Sequence, residues 1–149
     1  MIRIAIVEDE DMYVQQFTGY LKEYQKTCEE ELNVTIYRDG DGIVEQYKAQ
    51  FDIILMDIQM RFMDGMSAAE EIRKVDSEVV IMFITNMTQY AIRGYEVDAL
   101  DYILKPVSYF AFTQKVGRAI ARIHRRETSQ ITVPVKGGIV RLKVADIYY

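Results

Sequence analysis

The order of apolar and amphipathic segments predicts an α/β fold, in which helices cover both faces of a five-stranded parallel sheet. Short, almost wholly apolar runs alternate five times with stretches of helical spacing along the first 126 residues. Such runs suit strands that are buried on both faces, and this alternation is typical of a doubly wound parallel sheet. A chain of 149 residues, half of them hydrophobic, has room for one such domain and a small appendage.

The first two strands and helices come from the N-terminal third of the chain. Ile2–Val7 reads IRIAIV and is predicted as the first strand. Residues 10–32 are predicted as a helix, because apolar residues recur there at spacings of four, three and four: Phe17, Leu21, Tyr24 and Cys28. The second strand is predicted at 34–37, ended by the Asp- and Gly-rich residues 38–42, and a short helix follows at 43–49.

The third and fourth strands come from two further apolar runs. Residues 52–56 are predicted as a strand and 67–75 as the helix behind it, after a loop whose exit contains Asp64 and Gly65. Residues 79–84 read VVIMFI, which is wholly apolar and rich in β-branched side chains. Both properties are typical of a central strand.

The fifth strand and the last two helices are predicted between residue 88 and about residue 126. Residues 88–95 are predicted as a weaker helix, and residues 99–104 as a fifth strand ended by Lys105-Pro106. Ser108 can cap a final helix that runs to about residue 126. Its predicted inward positions are Phe112, Val116, Ile120 and Ile123.

Acidic residues follow two of the strands that this topology makes neighbours. Right-handed crossovers leave few topologies, and five strands favour the flavodoxin-like order 2-1-3-4-5, with a ligand crevice beside the carboxyl ends of strands 1 and 3. Strand 1 is followed by Glu8 and Asp9, and strand 3 by Asp57. Because like charges in a partly buried crevice require an opposite charge, we expect a hard divalent cation there, and Mg²⁺ suits oxygen ligands.

A lysine and a hydroxyl are predicted at the same edge. Strand 5 ends at Lys105, which can pair with Asp57 or with an anion bound to it, and strand 4 ends at Thr85, whose hydroxyl can donate to such an anion. Each residue alone has a simpler explanation as a loop acid, a helix cap or a turn residue. Their joint position at four strand ends favours a site that accepts a phosphoryl group, where positioning and charge neutralisation dominate.

Four segments resemble the receiver domains of two-component response regulators, over residues 1 to about 125. In chain order they read IVEDE (6–10), ILMDIQMRFMDG (54–65), FIT (83–85) and DYILKP (101–106). The resemblance implies that Asp57 accepts a phosphoryl group from the phosphohistidine of a sensor histidine kinase. It therefore implies a signalling protein and not an enzyme with turnover.

The resemblance also implies the ligands of the cation. Asp9, Asp57 and the backbone carbonyl of Gln59 would bind Mg²⁺, with Glu8 assisting through water. Asp64 and Gly65 are assigned no chemistry and are predicted to shape the exit into the third helix.

A conformational switch is implied as well. Lys105 and Thr85 would hold the phosphoryl oxygens, and Tyr102 matches the aromatic residue that turns inward when the threonine moves. The surface formed by residues 88–95, 99–104 and 108–126, here called the output face, would then change shape and control homodimerisation. Four aromatic residues near it either mediate that self-association or are ordinary half-buried core: Tyr90, Tyr95, Tyr109 and Phe110.

The tail differs from the rest of the chain in pattern and in charge. Residues 130–136 and 139–143 are strand-like and are joined by Gly137-Gly138, a hairpin signal. From Lys105 onward there are nine basic and two acidic residues, a net +7, whereas the preceding residues carry nine basic and 21 acidic residues, a net −12. A basic tail indicates a region that meets an anion such as DNA.

The tail also resembles the opening of a LytTR-type DNA-binding domain, on the segment ITVPVKGGIVRLKVADIYY (131–149). We therefore predict a receiver domain at 1–126, a linker at 127–130 and the beginning of a truncated DNA-binding domain at 131–149. The base-reading residues of that family lie mostly beyond residue 149, so none is named.

Two positions depart from the usual receiver sequence. Arg61 stands where many receivers have proline, which would stiffen the loop. The arginine could leave the loop more mobile, or its side chain could reach the phosphoryl group or a partner. An arginine that simply faces solvent is the simpler expectation. Asn86 follows Thr85 where a small residue is usual, and its amide could narrow access to Asp57.

Two other functions remain open from the sequence. A haloacid-dehalogenase-like phosphatase also uses an Asp after a buried strand, but it needs a second Asp where this chain has Gln59. A receiver-like interaction module that is never phosphorylated is the other. The single cysteine, Cys28, excludes an internal disulfide, and no apolar run approaches the roughly 20 residues of a membrane span; a cytoplasmic protein without a membrane contact is expected.

Overall fold

The computed structural model describes residues 1–87 and 96–129. Within these residues five parallel strands form one sheet in the order β2-β1-β3-β4-β5, which confirms the predicted order. In chain order the strands are β1 Ile2–Val7, β2 Leu32–Tyr37, β3 Ile53–Met56, β4 Val80–Thr85 and β5 Asp101–Leu104. β1, β3 and β4 are almost wholly buried, as their apolar sequences predict.

The helices follow the strands as an α/β fold requires. In the described ranges they are α1 Asp11–Gln25, α2 Gly40–Glu45, α3 Gly65–Arg73 and α4 Tyr109–Ser129. The helix predicted at 88–95 and the hairpin predicted at 130–143 lie outside the described residues. In the described part of the chain, no helix has both the length and the hydropathy that a membrane span requires.

Side chains alternate between the two faces of the sheet and build a buried layer on each. On one face, residues of β1, β3 and β4 pack in one cluster with Ile43 of α2 and with α3. On the other face, Phe17 of α1 stacks on Phe112 at 5.4 Å between ring centroids. The four inward positions predicted for the last helix are buried: Phe112, Val116, Ile120 and Ile123.

The first helix ends earlier than its periodicity predicts. α1 stops at Gln25, not at residue 32, because the Gln25 side chain closes the following loop. Its Nε2 donates to the carbonyl of Glu30 at 2.7 Å, and its Oε1 accepts from the amide of Leu32 at 2.7 Å. Cys28 therefore lies in a loop and not in the helix. β2 begins at Leu32, two residues earlier than predicted, where it pairs with Ile2.

The other helices differ from their predicted limits by two to four residues. α2 begins at Gly40, directly after Asp39, and ends at Glu45 instead of 49. α3 begins at Gly65, because Asp64 caps it by accepting a hydrogen bond of 2.7 Å from the amide of Ser67. α4 continues to Ser129 and so covers most of the segment predicted as a linker, 127–130.

Candidate phosphoacceptor site

Strand pairing brings the predicted acids together. β1 ends at Val7, which pairs with Met56, the last residue of β3. The amide of Asp57 donates to the carbonyl of Val7 at 3.0 Å, so the chain leaves both strands at the same point. Glu8 and Asp57 are therefore neighbours because parallel strands with this register end side by side.

Three carboxylates form one cluster at this edge. Carboxylate oxygens of Glu8, Asp9 and Asp57 all lie within 4.8 Å of one another. Glu8 is 1% exposed and Asp57 is 6% exposed, whereas Asp9 is exposed at the rim. Buried acids at this spacing repel one another unless a positive charge offsets them.

Lys105 supplies one positive charge from the end of β5. Its amide donates to the carbonyl of Thr85 at 2.9 Å. Its Nζ lies 2.8 Å from Oε1 of Glu8 and 3.1 Å from Oδ2 of Asp57, and its side chain is fully buried. The Tyr13 ring covers a further side of the ammonium, with its centroid 3.8 Å from Nζ. Glu8 and Asp57 thus share one ammonium.

The pKa values show that this single ammonium does not fully compensate the acids. Burial raises the pKa of Glu8, the hydrogen bond to Lys105 lowers it and the charge of Asp57 raises it, and together they bring the pKa to about 6. For Lys105, burial lowers the pKa, but the hydrogen bond to Glu8 and the charges of Asp57 and Glu8 outweigh it and raise the pKa above its ordinary value. The lysine stays charged, and an excess of negative charge remains.

The donor set suits a hard divalent cation. All three side chains offer carboxylate oxygens, which Mg²⁺ and Ca²⁺ prefer. Some lone pairs are already used: Oε2 of Glu8 accepts from the amide of Glu10 at 3.2 Å, and Oδ1 of Asp57 accepts from the amide of Ile58 at 2.7 Å. The exposed carboxylate of Asp9 leaves the cluster open to solvent, and a cation that keeps several waters fits such a site.

An open cleft of about 390 Å³ lies over this edge. It brings together four residues that were predicted for the site, namely Asp9, Asp57, Gln59 and Thr85, and both positions that depart from the usual sequence, Arg61 and Asn86; its remaining lining residues are Glu10 and Met60. Glu8 and Lys105 are not among the lining residues and lie buried behind it.

Sequence and structure comparisons agree with this geometry. The profile of the response regulator receiver domain matches residues 4–116. The chain belongs to the response regulator receiver domain family. It is 29% identical to sensory transduction protein LytT of Bacillus anthracis, over all of this chain and 65% of that protein. The chain thus spans about two thirds of the length of that relative.

Solved receiver structures share the fold. The response regulatory domain of protein mrkE from Klebsiella pneumoniae has a TM-score of 0.74 at 24% identity, covering 83% of this chain and 99% of that one. Response regulator protein TrrA from Thermotoga maritima, solved in complex with Mg²⁺–BeF, has a TM-score of 0.68 at 22% identity, covering 80% of this chain and 99% of that one.

In this receiver, the two predicted switch residues contact one peptide segment. Thr85 is fully buried, and its Oγ1 accepts from the amide of Met87 at 3.3 Å. The Tyr102 hydroxyl donates to the carbonyl of Met87, and its ring lies 6.0 Å from that of Phe83. Thr85 and Tyr102 therefore both contact Met87, a link that sequence reasoning did not predict.

The proposed dimerisation residues are only partly within the described chain. Tyr109 is 38% exposed and Phe110 is 70% exposed, so both are open to solvent and are not core residues. Tyr90 and Tyr95 lie outside the described residues. The open aromatic pair is compatible with an interface on the output face, which stays a prediction.

Sequence reasoning missed two supports of the receiver site. A Cβ on Gly65 would collide with the backbone carbonyl of Asp57, and its amide donates to the carbonyl of Ile58 at 2.8 Å. Only glycine allows this close approach, and the adjacent Asp64 and Gly65 were the available signal. The other support, Tyr13, has no signal beyond its place in the first turn of α1.

Proposed function

We propose that this chain is the phosphoacceptor part of a cytoplasmic two-component response regulator. Asp57 accepts a phosphoryl group from the phosphohistidine of a sensor histidine kinase. The observation that carries the proposal is the shared ammonium of Lys105, 2.8 Å from Glu8 and 3.1 Å from Asp57, beside an excess of carboxylates. Buried carboxylates without enough cations to neutralise them destabilise a fold, so such a cluster indicates a site that binds a cation and carries out a reaction.

In the proposed transfer, an Oδ atom of Asp57 forms a bond to phosphorus while the bond from phosphorus to the donor imidazole nitrogen breaks. The imidazole leaves with the bonding electron pair. Lys105 stays charged, since its pKa is raised, and stabilises the oxygens of the transferring group. Thr85, at the same cleft, donates its hydroxyl to one of them.

Asp9, Asp57 and the backbone carbonyl of Gln59 are the residues that would hold Mg²⁺, and Glu8 would act through water. When bound, the cation neutralises the negative charge that develops on the phosphoryl oxygens. The buried position of Glu8 and its hydrogen bond to Lys105 support the indirect role that the resemblance assigns to it.

The output of the switch is proposed to be transcriptional control. Phosphorylation moves Thr85 toward the phosphoryl group, Tyr102 follows through their common contact with Met87, and the output face changes shape. The exposed Tyr109 and Phe110 then contribute to a homodimer. A LytTR-type DNA-binding domain, of which residues 131–149 are the predicted beginning, would bring the dimer to DNA.

Mass spectrometry after incubation with a small phosphodonor and Mg²⁺ tests the transfer. We expect the chain to gain the mass of one phosphoryl group and Asp57→Asn to gain none. Phosphorylation of Asp57→Asn to the wild-type level would show that the acceptor is elsewhere. Sedimentation of the phosphorylated chain tests dimerisation, and an unchanged mass would contradict that part of the proposal.

The two alternatives predict different results in the same experiment. A phosphatase releases phosphate continuously from the donor, but Gln59 cannot act as the general acid that such an enzyme needs. An interaction module without phosphorylation would bind no Mg²⁺ and gain no mass. A single stoichiometric phosphorylation is expected only for the receiver.

A further inference from the structure

Arg61 contributes a second positive charge to the cleft. Its side chain is exposed and lines the same cleft as Asp9, Asp57 and Thr85. In the part of the chain that the structure describes, Arg61 forms no hydrogen bond or ion pair with a side chain or the backbone. Its guanidinium carbon instead lies over the Phe62 ring, 5.4 Å from the centroid. The donors of Arg61 are therefore available to a ligand.

The backbone around Arg61 is held in place. The carboxylate of Asp39 accepts from the amide of Phe62 at 3.0 Å and from the amide of Met63 at 2.8 Å. Burial raises the pKa of Asp39, but backbone hydrogen bonds, these two among them, together outweigh it and lower the pKa, so the carboxylate stays charged. The position of Arg61 at the cleft is therefore set by a fixed loop.

The charges of the site give this arginine a function. Glu8, Asp9, Glu10 and Asp57 carry four negative charges, and Lys105 carries one positive charge. A bound divalent cation leaves this set at −1, and Arg61, the one basic residue among the described residues that line the cleft, brings it to zero. A dianionic donor therefore meets a neutral cleft with Arg61 and a repulsive one without it.

Lys105 cannot replace Arg61 in this role. Its ammonium is fully buried and is shared by Glu8 and Asp57, and the Tyr13 ring covers a further side. Arg61 is at the exposed wall, where a donor enters. A guanidinium presents several N–H groups in a plane and binds phosphoryl oxygens in pairs, which an ammonium cannot do.

We propose that Arg61 binds the phosphoryl group of the incoming donor and favours dianionic donors over less charged ones at Asp57. The inference rests on the proposed function and adds a specificity residue to it. Arg61 acts on the donor before transfer, so its removal is expected to raise the donor concentration that gives half of the maximal phosphorylation rate (KM) and to leave the limiting rate constant of the single phosphorylation nearly unchanged.

The initial rate of Asp57 phosphorylation with Mg²⁺ tests this with two donors near pH 7: acetyl phosphate, a dianion, and phosphoramidate, which carries one negative charge less. For Arg61→Gln we expect KM for acetyl phosphate to rise about fivefold, and KM for phosphoramidate to rise about twofold at most. In about 1 M salt the difference between the donors should shrink, because the Debye length falls to about 3 Å. In Arg61→Lys, KM for acetyl phosphate should lie between the values of the wild type and Arg61→Gln, because the lysine restores the charge without the planar guanidinium.

Arg38→Gln is the matched control. It removes the same charge from an exposed arginine that pairs with Asp11 and does not line the cleft. If Arg38→Gln raises KM as much as Arg61→Gln, net charge explains the effect and the inference is overturned. An equal rise of KM for both donors in Arg61→Gln, or no rise for either donor, would also overturn the inference.

The two proposals fail in different ways. If the wild-type chain is phosphorylated and Arg61→Gln behaves identically, the role of Arg61 is wrong and the receiver function stands. If the wild-type chain accepts a phosphoryl group from neither donor, the receiver function is wrong and the role of Arg61 falls with it. Equal melting temperatures of Arg61→Gln and wild type would show that the effect is not structural.

Discussion

The two ends of the parallel sheet use similar charged residues differently. At the amino end, Arg3 and Asp52 match each other: the Arg3 side chain donates to the carboxylate at 3.2 and 3.1 Å, and the Arg3 amide donates at 2.8 Å. Arg73 completes this end by donating to the backbone carbonyls of Asp76, Val79, Val97 and Asp98. Charged groups here are matched by partners in fixed positions.

At the carboxyl end, acids outnumber cations. Glu8 and Asp57 share the ammonium of Lys105, and Asp9 adds a third carboxylate beside them. The pKa of Glu8 rises to about 6 as a result of burial and of this unmatched charge. Charged residues at the end of a sheet do not by themselves identify a functional site. The candidate site lies at the carboxyl end of the strands, where buried carboxylates outnumber the cations that could neutralise them.

Lys105→Met tests the unmatched end and has the largest expected effect. It leaves Glu8 and Asp57 buried without their ammonium, and we expect the free energy of unfolding at pH 8 to fall by about 3–5 kcal/mol. The loss should be smaller at pH 5, because Glu8 then takes up a proton. Urea unfolding at both pH values measures this. Adding Glu8→Gln to Lys105→Met should recover part of the loss; a drop under about 1 kcal/mol at pH 8 contradicts the shared pair.

Arg73→Met tests the matched end. It removes the donors of four carbonyls, and we expect the free energy of unfolding to fall by about 2–3 kcal/mol, because two of those carbonyls belong to the buried Val79 and Val97. The loss should be the same at pH 5 and pH 8, and phosphorylation of Asp57 by a small donor should be retained. If Arg73→Met lost phosphorylation of Asp57 but kept its stability, the amino end of the sheet would not be purely structural and the contrast between the two ends would be wrong.

Glu8 is expected to make stability depend on pH and on Mg²⁺. Its pKa is about 6 in the folded chain and 4.5 ordinarily, so the folded state binds more protons between these values. The free energy of unfolding should therefore fall as pH rises through this range, by about 2 kcal/mol over the whole titration from well below pH 4.5 to well above pH 6. Glu8→Gln should lack this fall, measured as the difference between the two unfolding profiles.

Excess Mg²⁺ tests whether the carboxylate cluster at the carboxyl end of the sheet binds a cation, because a cation binds ionised carboxylates and not protonated ones. We expect Mg²⁺ to raise the melting temperature of the wild-type chain at pH 7.5 and to raise it less at pH 4.5, because Glu8 then takes up a proton and the cluster loses one negative charge. Asp9→Asn serves as the control at pH 7.5 and should reduce the response. An equal rise at both pH values would contradict binding at this cluster.

Tyr13→Leu has the smallest expected effect. It removes the ring over Lys105, 3.8 Å from Nζ, and we expect the free energy of unfolding to fall by about 1 kcal/mol. Tyr13→Phe keeps the ring and should behave as wild type in the same urea titration. If the two variants lose the same stability, the hydroxyl and not the ring is responsible.

The sheet and the central acids could be predicted because their signals are local. β1, β3 and β4 are buried on both faces, and burial requires apolar runs such as IILM, Ile53–Met56. The residues directly after those runs, Glu8 and Asp57, had to lie at the carboxyl edge once the strand order was known. Chain position and hydrophobicity alone were enough for this part of the site.

The features that depend on contacts between distant parts of the chain could not be predicted from the sequence and became visible only in the tertiary structure. The amides of Phe62 and Met63 are held by Asp39, 23 and 24 residues away. The end of α1 was misplaced because the Gln25 side chain overrides the apolar spacing that continues past it. The raised pKa of Glu8 follows from its burial beside Asp57 and Lys105. Local patterns record which side chains are buried, whereas hydrogen bonds and desolvation depend on which groups meet in space.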